Sequence, residues 1–337
     1  MFSKHHLISE HTNPEILPDS TGITFINSKN LSTLNKMKSV ITLQNGKKLS
    51  QGEFCQYFER KIHKTIRKFN LISNDDKIAV ACSGGKDSTA VLYVLAKMCN
   101  ERHQKVEALA IDEGMNNDYR KKLILELKKF CDKNKIKLHV VSFKKEYGFT
   151  LKQISGKIKK LGLSNCYVCS ILKRWLMNKK ARKLGYTVIA TGHNLDDEAE
   201  TIILNQFKGN PALLAKLGPS SGIGKRKEFV QRIKPLYFCS VNEIVLYAKI
   251  KKLPLALGSC IMRGETFRIT IRNFLKKMEK QHPEVKNAIV NSFLEILPML
   301  KEKYTSEATL KKCKRCKEAA SQELCKRCQI LEMLKKR

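Results

Sequence analysis

Acidic residues are scarce in this chain: 31 Asp and Glu stand against 65 Lys and Arg, which leaves a formal charge of +34. An excess of that size is costly in self-repulsion unless a polyanion is the working partner, and nucleic acid is the natural candidate. A lysine-rich background composition is the competing explanation, because lysine far outnumbers arginine. The sequence also lacks any run of about 18 apolar residues, so no membrane-spanning helix is expected. The opening MFSKHHLISEH has no apolar core of a secretory signal, and no arginine precedes Arg60, which argues against an Arg-rich mitochondrial presequence. The expected location is therefore cytoplasmic. Internal repeats are absent. What remains is a 337-residue chain with 42% hydrophobic residues, long enough to bury a real core.

Cysteine is abundant: there are 12, and half fall into three C-x-x-C pairs, Cys166/Cys169, Cys313/Cys316 and Cys325/Cys328. Without a secretory signal this pattern reads as metal or redox chemistry, not as a disulfide framework. Cys55, Cys82, Cys99, Cys131 and Cys239 are read as small buried hydrophobes.

Residues 1–50 are polar and irregular, with a strand-like run at Val40–Leu43 and a turn at Gln44-Asn45-Gly46 that suits a small hairpin. Phe54, Phe58, Ile62, Ile66 and Phe69 recur at helical spacing across 51–70. An alternation follows: strands at 77–82, 106–111, 138–143 and 187–191, and helices at 87–100, 117–134, 166–184 and 195–208. Strands alternating with helices predict an α/β fold, a Rossmann-like parallel sheet with helices on both faces and its ligand beyond the strands' C-terminal ends. Residues 51–235 are expected to form this domain. Residues 236–304 form a helical region, with helices at 240–252, 264–281 and 283–301. Residues 305–337 carry the last four cysteines among lysines and arginines.

The sharpest motif is Ser83-Gly84-Gly85-Lys86-Asp87-Ser88, set between a strand and a helix. Glycines let the backbone approach an anion, the helix N-terminus presents free N–H groups, and Lys86 adds a point charge. Neither the G-x-x-x-x-G-K-[ST] nor the G-x-G-x-x-G spacing is met. The string resembles the PP-loop of ATP pyrophosphatases, which cleave ATP between the α and β phosphates and transfer AMP to an oxygen. That resemblance implies that Ala81, Ser83, Gly84, Gly85, Lys86, Asp87 and Ser88 contact ATP, with Ala110, Ile111 and Asp112 flanking the adenine.

A second strand-to-helix segment reads Thr191-Gly192-His193-Asn194-Leu195-Asp196-Asp197-Glu198-Ala199. Gly192 permits close approach to a ligand. Asp197 suits either Mg²⁺ at the phosphates or activation of the substrate. Taken alone, Asn194 is a good N-cap and acids suit the first helical turn. The T-G-H-N-x-D-D string, however, resembles PP-loop tRNA thiolases of the TtcA/TtuA type, which singles out Gly192 and Asp197.

Cys166-Tyr-Val-Cys169 opens a predicted helix, so an i, i+3 spacing puts both sulfurs on one face of its first turn, with Lys173 one turn on. A persulfide-relaying dithiol and an iron–sulfur ligand pair both fit. A cluster with one open iron needs a third ligand. Cys260 is the choice, in a loop with Pro254 and Gly258, and Cys239 is its rival by position. The C-Y-V-C-S-I-L-K-R, T-G-H-N-L-D-D-E-A and R-I-K-P-L segments followed by a late cysteine resemble, in order, the archaeal-type TtuA/NcsA 2-thiouridine synthetases, over roughly residues 50–330. That resemblance implies a 4Fe-4S cluster on Cys166, Cys169 and Cys260, with sulfide on the open iron for attack on an adenylated tRNA uridine. It also implies catalytic roles for Lys173 and Asp197, and a ubiquitin-like thiocarboxylate carrier or free sulfide as sulfur donor. It leaves a homodimer open.

Cys313-x2-Cys316-x8-Cys325-x2-Cys328 supplies four thiolates as two knuckles, a closed set that suits structural Zn²⁺. The resemblance implies a second, N-terminal metal knob as well. Here Ser50 and Glu53 stand where its ligands align and no C-x-x-C precedes them, so a metal-free hairpin is expected. The function expected is ATP-dependent 2-thiolation of a tRNA uridine. A non-thiolating PP-loop enzyme is disfavoured by Cys166 and Cys169, and a zinc-ribbon RNA-binding protein by the intact Lys86, Asp87 and Asp197.

Overall fold

The computed structural model of the protein describes residues 41–43, 46–115, 118–221, 228–255, 266–305 and 311–335. Cys260 lies outside these residues. A hairpin of β1 (Ile41–Thr42) and β2 (Lys48–Leu49) leads into α1 (Gln51–Lys68). Ser50 and Glu53, the two positions aligned with lost metal ligands, form a capping box on α1: the Ser50 hydroxyl accepts from the Glu53 N–H, and Glu53 accepts from the Ser50 N–H at 2.8 Å.

The alternation then runs β3 (Ile78–Cys82), α2 (Lys86–Asn100), β4 (Val106–Asp112), α3 (Asp118–Lys133) and β5 (Leu138–Ser142). Next come α4 (Phe143–Tyr147), α5 (Leu151–Lys160), α6 (Asn165–Lys183), β6 (Val188–Ala190), α7 (Leu195–Phe207), α8 (Pro211–Leu214), β7 (Ser220–Ser221) and β8 (Gln231–Ile233). The chain continues through α9 (Val241–Ile250), α10 (Phe267–Gln281), α11 (Val285–Thr305), β9 (Lys311–Lys312), β10 (Ala319–Ala320) and α12 (Lys326–Lys335).

Six strands make the main sheet in the order β5-β4-β3-β6-β8-β7, parallel throughout except for β7. The chain builds outward from β3 through β4 to β5, then returns to β6 on the other side of β3. The β3–β6 boundary is therefore the topological switch point, where a crevice opens at the strand C-termini. Alternation along β3 sends Ile78 and Val80 into a core with α1, α2 and α9, where Phe58 stacks on Tyr247 at 4.3 Å. Ala79 joins Leu109, Ile189 and Ala181 on the opposite face. Helices α7, α10 and α11 bury a third cluster around Ile202, Leu275 and Phe293.

The structure adds α5, α8 and α12, which the sequence reading did not include, and differs from it in two further places. Phe143 does not end a strand; it opens α4 fully buried, with Ser142 as N-cap and Gly148 at φ +81° ending the helix. The sheet also extends beyond β6 through β8 and β7, strands of three and two residues that are too short to carry a period-2 pattern.

Candidate active site

The Ser83–Ser88 loop leaves the C-terminal end of the central strand and enters α2 at the switch point. Gly85 is the N-cap of α2 and has no side chain to cap it, so the first amides of the helix face the crevice as anion donors. The loop is held open from within. Ser83 N–H donates to Ser88 Oγ at 3.2 Å, Gly85 N–H to Ser83 Oγ at 3.3 Å, and the Ser88 and Thr89 hydroxyls to the Gly85 carbonyl at 3.1 and 3.0 Å. Gly84 sits at φ +82°, and a Cβ there would lie 2.9 Å from the Leu123 carbonyl of α3.

The second segment meets the first. A Cβ on Gly192 would stand 2.7 Å from the Ser88 nitrogen and 2.9 Å from the Asp87 carbonyl carbon, so only glycine lets the two loops close on each other. Asn194 caps α7 in a reciprocal box with Asp197 and also donates from Nδ2 to Asp87 Oδ1 at 3.1 Å. Lys86 Nζ grips both oxygens of Asp87, at 3.0 and 2.9 Å. Burial, then the nearby carboxylates of Glu200 and Asp87, push Asp197 up to about 6 despite Arg268. Two carboxylates on facing loops beside a phosphate cradle are a donor set that a hard divalent cation fits. Such a cation would reverse the repulsion that raises Asp197.

His193 is open to the cleft. The protein packed around the ring, then Lys234, Arg268, Arg174 and Arg232, push its imidazole below the ordinary range. Of these cations, Lys234 is matched by Glu198 at 2.7 Å in a buried pair, and Arg268 lies 3.9 Å from Glu200.

Cys166 and Cys169 occupy the first turn of α6, whose N-cap Ser164 accepts from the Tyr167 N–H. Cys166 is exposed and Cys169 half-buried. Lys173 shares their face. Burial opposes its charge, but Glu113 and Cys169 outweigh that and hold its pKa above the ordinary range. By contrast, Cys55, Cys82, Cys99, Cys131 and Cys239 are all buried core residues. Cys239 packs behind the start of α7, where its carbonyl accepts from the Leu195 N–H and burial pushes its thiol up. Its side chain is buried in the core that α1, α2 and α9 share.

Glu113 is the residue that sequence reasoning missed. It is 6% exposed, just past β4, accepts from Lys173 Nζ at 2.6 Å and is ion-paired with the Arg120 guanidinium, whose Nε lies 3.0 Å away. Arg120 in turn donates to the Ser83 and Ile111 carbonyls. One buried carboxylate thus ties the phosphate loop, the end of β4 and the sulfur helix together. No motif marks it, although its place directly after Asp112, at the C-terminal end of β4, was a usable signal. Ala110 and Ile111 bury their side chains in the two cores. Asp112 Oδ1 accepts from the Gly114 N–H at 2.9 Å and fixes the turn that follows.

The four C-terminal cysteines converge: the Sγ atoms of Cys313, Cys316, Cys325 and Cys328 all lie within 4.8 Å of one another. Four thiolates about 2.3 Å from one ion would have this spacing, so the set fits a tetrahedral metal. Burial acts to raise the Cys313 thiol, but N–H groups of Cys316, Cys325 and Arg315 outweigh it and bring it down to about 6. The knuckles are joined by β9 and β10, and α12 docks on α5 and α6 through Ile330 and Leu334. Arg327 lies over the Trp175 ring at 4.1 Å.

A family model described as a PP-loop domain matches residues 55–279. Cytoplasmic tRNA 2-thiolation protein 1 of Drosophila melanogaster is 36% identical over 299 residues, which span 86% of this chain and 83% of that one. The protein of the same name from Aspergillus niger is 35% identical over 300 residues, covering 88% and 86%. Among solved structures, the U34-tRNA thiolase NcsA from Methanococcus maripaludis, with its 4Fe-4S cluster, matches at TM-score 0.72. It is 29% identical and covers 85% of this chain and 89% of its own.

Proposed function

Because the chain belongs to the PP-loop family of cytoplasmic tRNA 2-thiolation proteins, we propose that it is a cytoplasmic tRNA 2-thiouridine synthetase acting on uridine 34. The position rests on its likeness to NcsA. The observation that carries the reading is the meeting of phosphate loop and cysteine helix through Glu113. It supports an ATP-activating centre and a sulfur centre acting at one rim.

The carbonyl oxygen O2 of uridine is a poor leaving group, and ATP converts it into a good one. O2 attacks the α-phosphorus, diphosphate departs, and O2 becomes bonded to AMP. Sulfide then adds at C2, the C2–O2 bond breaks, and AMP leaves carrying the former O2. Free α2 amides and Lys86 hold the phosphates, and Gly192 lets the two loops close on them. Asp87 and Asp197 suit Mg²⁺ at the departing diphosphate. Lys173, kept charged by Glu113, faces the reacting base as a cation beside the sulfur centre.

Cys166 and Cys169, with Cys260 proposed as the third ligand, would hold a 4Fe-4S cluster, which would supply the sulfide nucleophile. The sulfur itself comes from free sulfide or a ubiquitin-like thiocarboxylate carrier. Zn²⁺ is the metal proposed for the Cys313/Cys316/Cys325/Cys328 set, where it would be structural because no ligand position stays open. Nucleoside analysis of tRNA from cells lacking the protein tests the target: loss of 2-thiouridine at position 34 supports it, and an unchanged level refutes it.

A further inference from the structure

Helix α6 has two working faces. Cys166, Cys169 and Lys173 lie on one. Ile171, Arg174, Trp175 and Asn178 lie on the other, by their 3.6-residue spacing. The second face lines a cavity of about 210 Å³ closed by β8 and the four-cysteine ribbon.

Its chemistry is one-sided. Arg174, Arg232, Lys326 and Arg327 line it, and the single carboxylate in the lining, Glu318, is bonded at 2.7 Å to Arg182. Arg232 is half-buried in β8, and burial and Arg174 together pull its guanidinium below the ordinary range. A like charge, not an acid, is thus the dominant electrostatic neighbour of a desolvated guanidinium among the described residues. The Trp175 Nε1–H is buried with no hydrogen-bond partner in the same wall. Cations and a spare donor around a cavity leave a deficit that an anion fills.

An aromatic ring stands beside it. Phe229 is 46% exposed, although its neighbours are pinned: Asn178 Oδ1 accepts from the Val230 N–H at 2.9 Å, and Asn178 Nδ2 donates to the Glu228 carbonyl at 3.2 Å. A fixed, exposed aromatic next to paired arginines is the arrangement that stacks an unpaired base while its phosphate is held. The reaction rim is close, since Arg174 and Arg232 both lower the His193 pKa.

We propose that this cavity is an RNA subsite: Arg174 and Arg232 bind a backbone phosphate of the tRNA, and Phe229 stacks a base next to it, one helix away from the cysteines. The subsite rests on tRNA being the substrate. It explains why the ribbon is docked on α6, because Lys326 and Arg327 complete the wall. Its role is to hold the strand beside the target nucleotide, so that the uridine is presented to the opposite face of α6.

The test is fluorescence anisotropy of labelled, unmodified tRNA binding to the full chain at several salt concentrations. R174A and F229A are the main variants. R232K serves as a mild variant, because Arg232 lies within the sheet. Expected results are a dissociation constant raised about 10-fold in R174A with its log–log salt slope lowered by about one. F229A should weaken binding about 10-fold with its salt slope unchanged. R232K should bind more weakly than wild type. If wild type binds tRNA and both R174A and F229A match it in affinity and slope, the subsite is overturned. If wild type does not bind tRNA at all, the proposed substrate fails instead.

Discussion

Glu113 shows how much one side chain carries here. Burial alone would raise its pKa, but Lys173 and Arg120 outweigh burial and hold it below the ordinary carboxylate range. A depressed folded pKa means that the folded state is stabilised above the unfolded value, near 4.5, and that this contribution is lost as pH falls through the folded value. The E113Q variant should therefore be less stable at pH 7 by about 1–3 kcal/mol. Its stability should also fall less steeply on the acid side, as read by urea titration across pH. Equal slopes in variant and wild type would contradict the pairing. Gly192 makes the complementary point by what it lacks. In G192A a methyl group would press on the Ser88 nitrogen at 2.7 Å. The ATP dissociation constant should rise at least about 10-fold, since the cradle would be wedged open; calorimetric titration with a non-hydrolysable ATP analogue showing wild-type affinity would refute this. Gly192 was legible from its motif, as were Lys86, Asp87 and Asp197. Glu113 was not, because a lone acid after a strand has no periodicity or spacing to distinguish it. The partnership of Glu113 with Arg120 and Lys173 exists only once β4, α3 and α6 pack.

Among the elements, α6 links everything, and its sequence conceals why. It buries Val168, Leu172 and Leu176 against α5 and α12, points its cysteines at the rim, and gives a third face to the ribbon cavity. A helix used on three sides shows no clean apolar stripe, so the sequence revealed its existence but not its orientation. The long strands and helices were readable because apolar runs between Gly-rich turns leave few alternatives. Of the missed elements, α4 and the β8–β7 extension are short and stand through tertiary packing, whereas α5 carried a local signal that was overlooked, a Thr150/Gln153 capping box ahead of Leu151, Ile154 and Ile158 at helical spacing. Ser50 and Glu53 were read as vacated ligand positions, and folding turns them into a helix cap. The ribbon's dependence on metal is a prediction at this scale. Without an ion, four thiols within 4.8 Å must protonate or repel. Chelation should therefore release α12 from α6. Hydrogen exchange on the chelated protein should show lost protection in 326–335 and in the α6 stretch facing Arg327, with the β3–β4 amides unchanged. Retained protection in α12 would show that packing alone holds the ribbon.

At the scale of the whole molecule, the charge of +34 and the sheet's switch point describe one design. Parallel strands deliver the phosphate loop and the Gly192 loop to the same rim. Helix α6 meets that rim from the side through the Lys173–Glu113 pair and carries Cys166 and Cys169 with it, and the net charge of the chain suits a polyanionic substrate. The central claim is that ATP activation and sulfur delivery act on one tRNA base at this rim. The most direct measurement is an anaerobic single-turnover reaction of the cluster-reconstituted protein with ATP, sulfide and unmodified tRNA, followed by quantification of AMP and 2-thiouridine. The account predicts equal yields of the two from the wild-type protein, and no 2-thiouridine from the C166S/C169S variant, which should still bind ATP. Wild-type 2-thiouridine yield from that variant would contradict it.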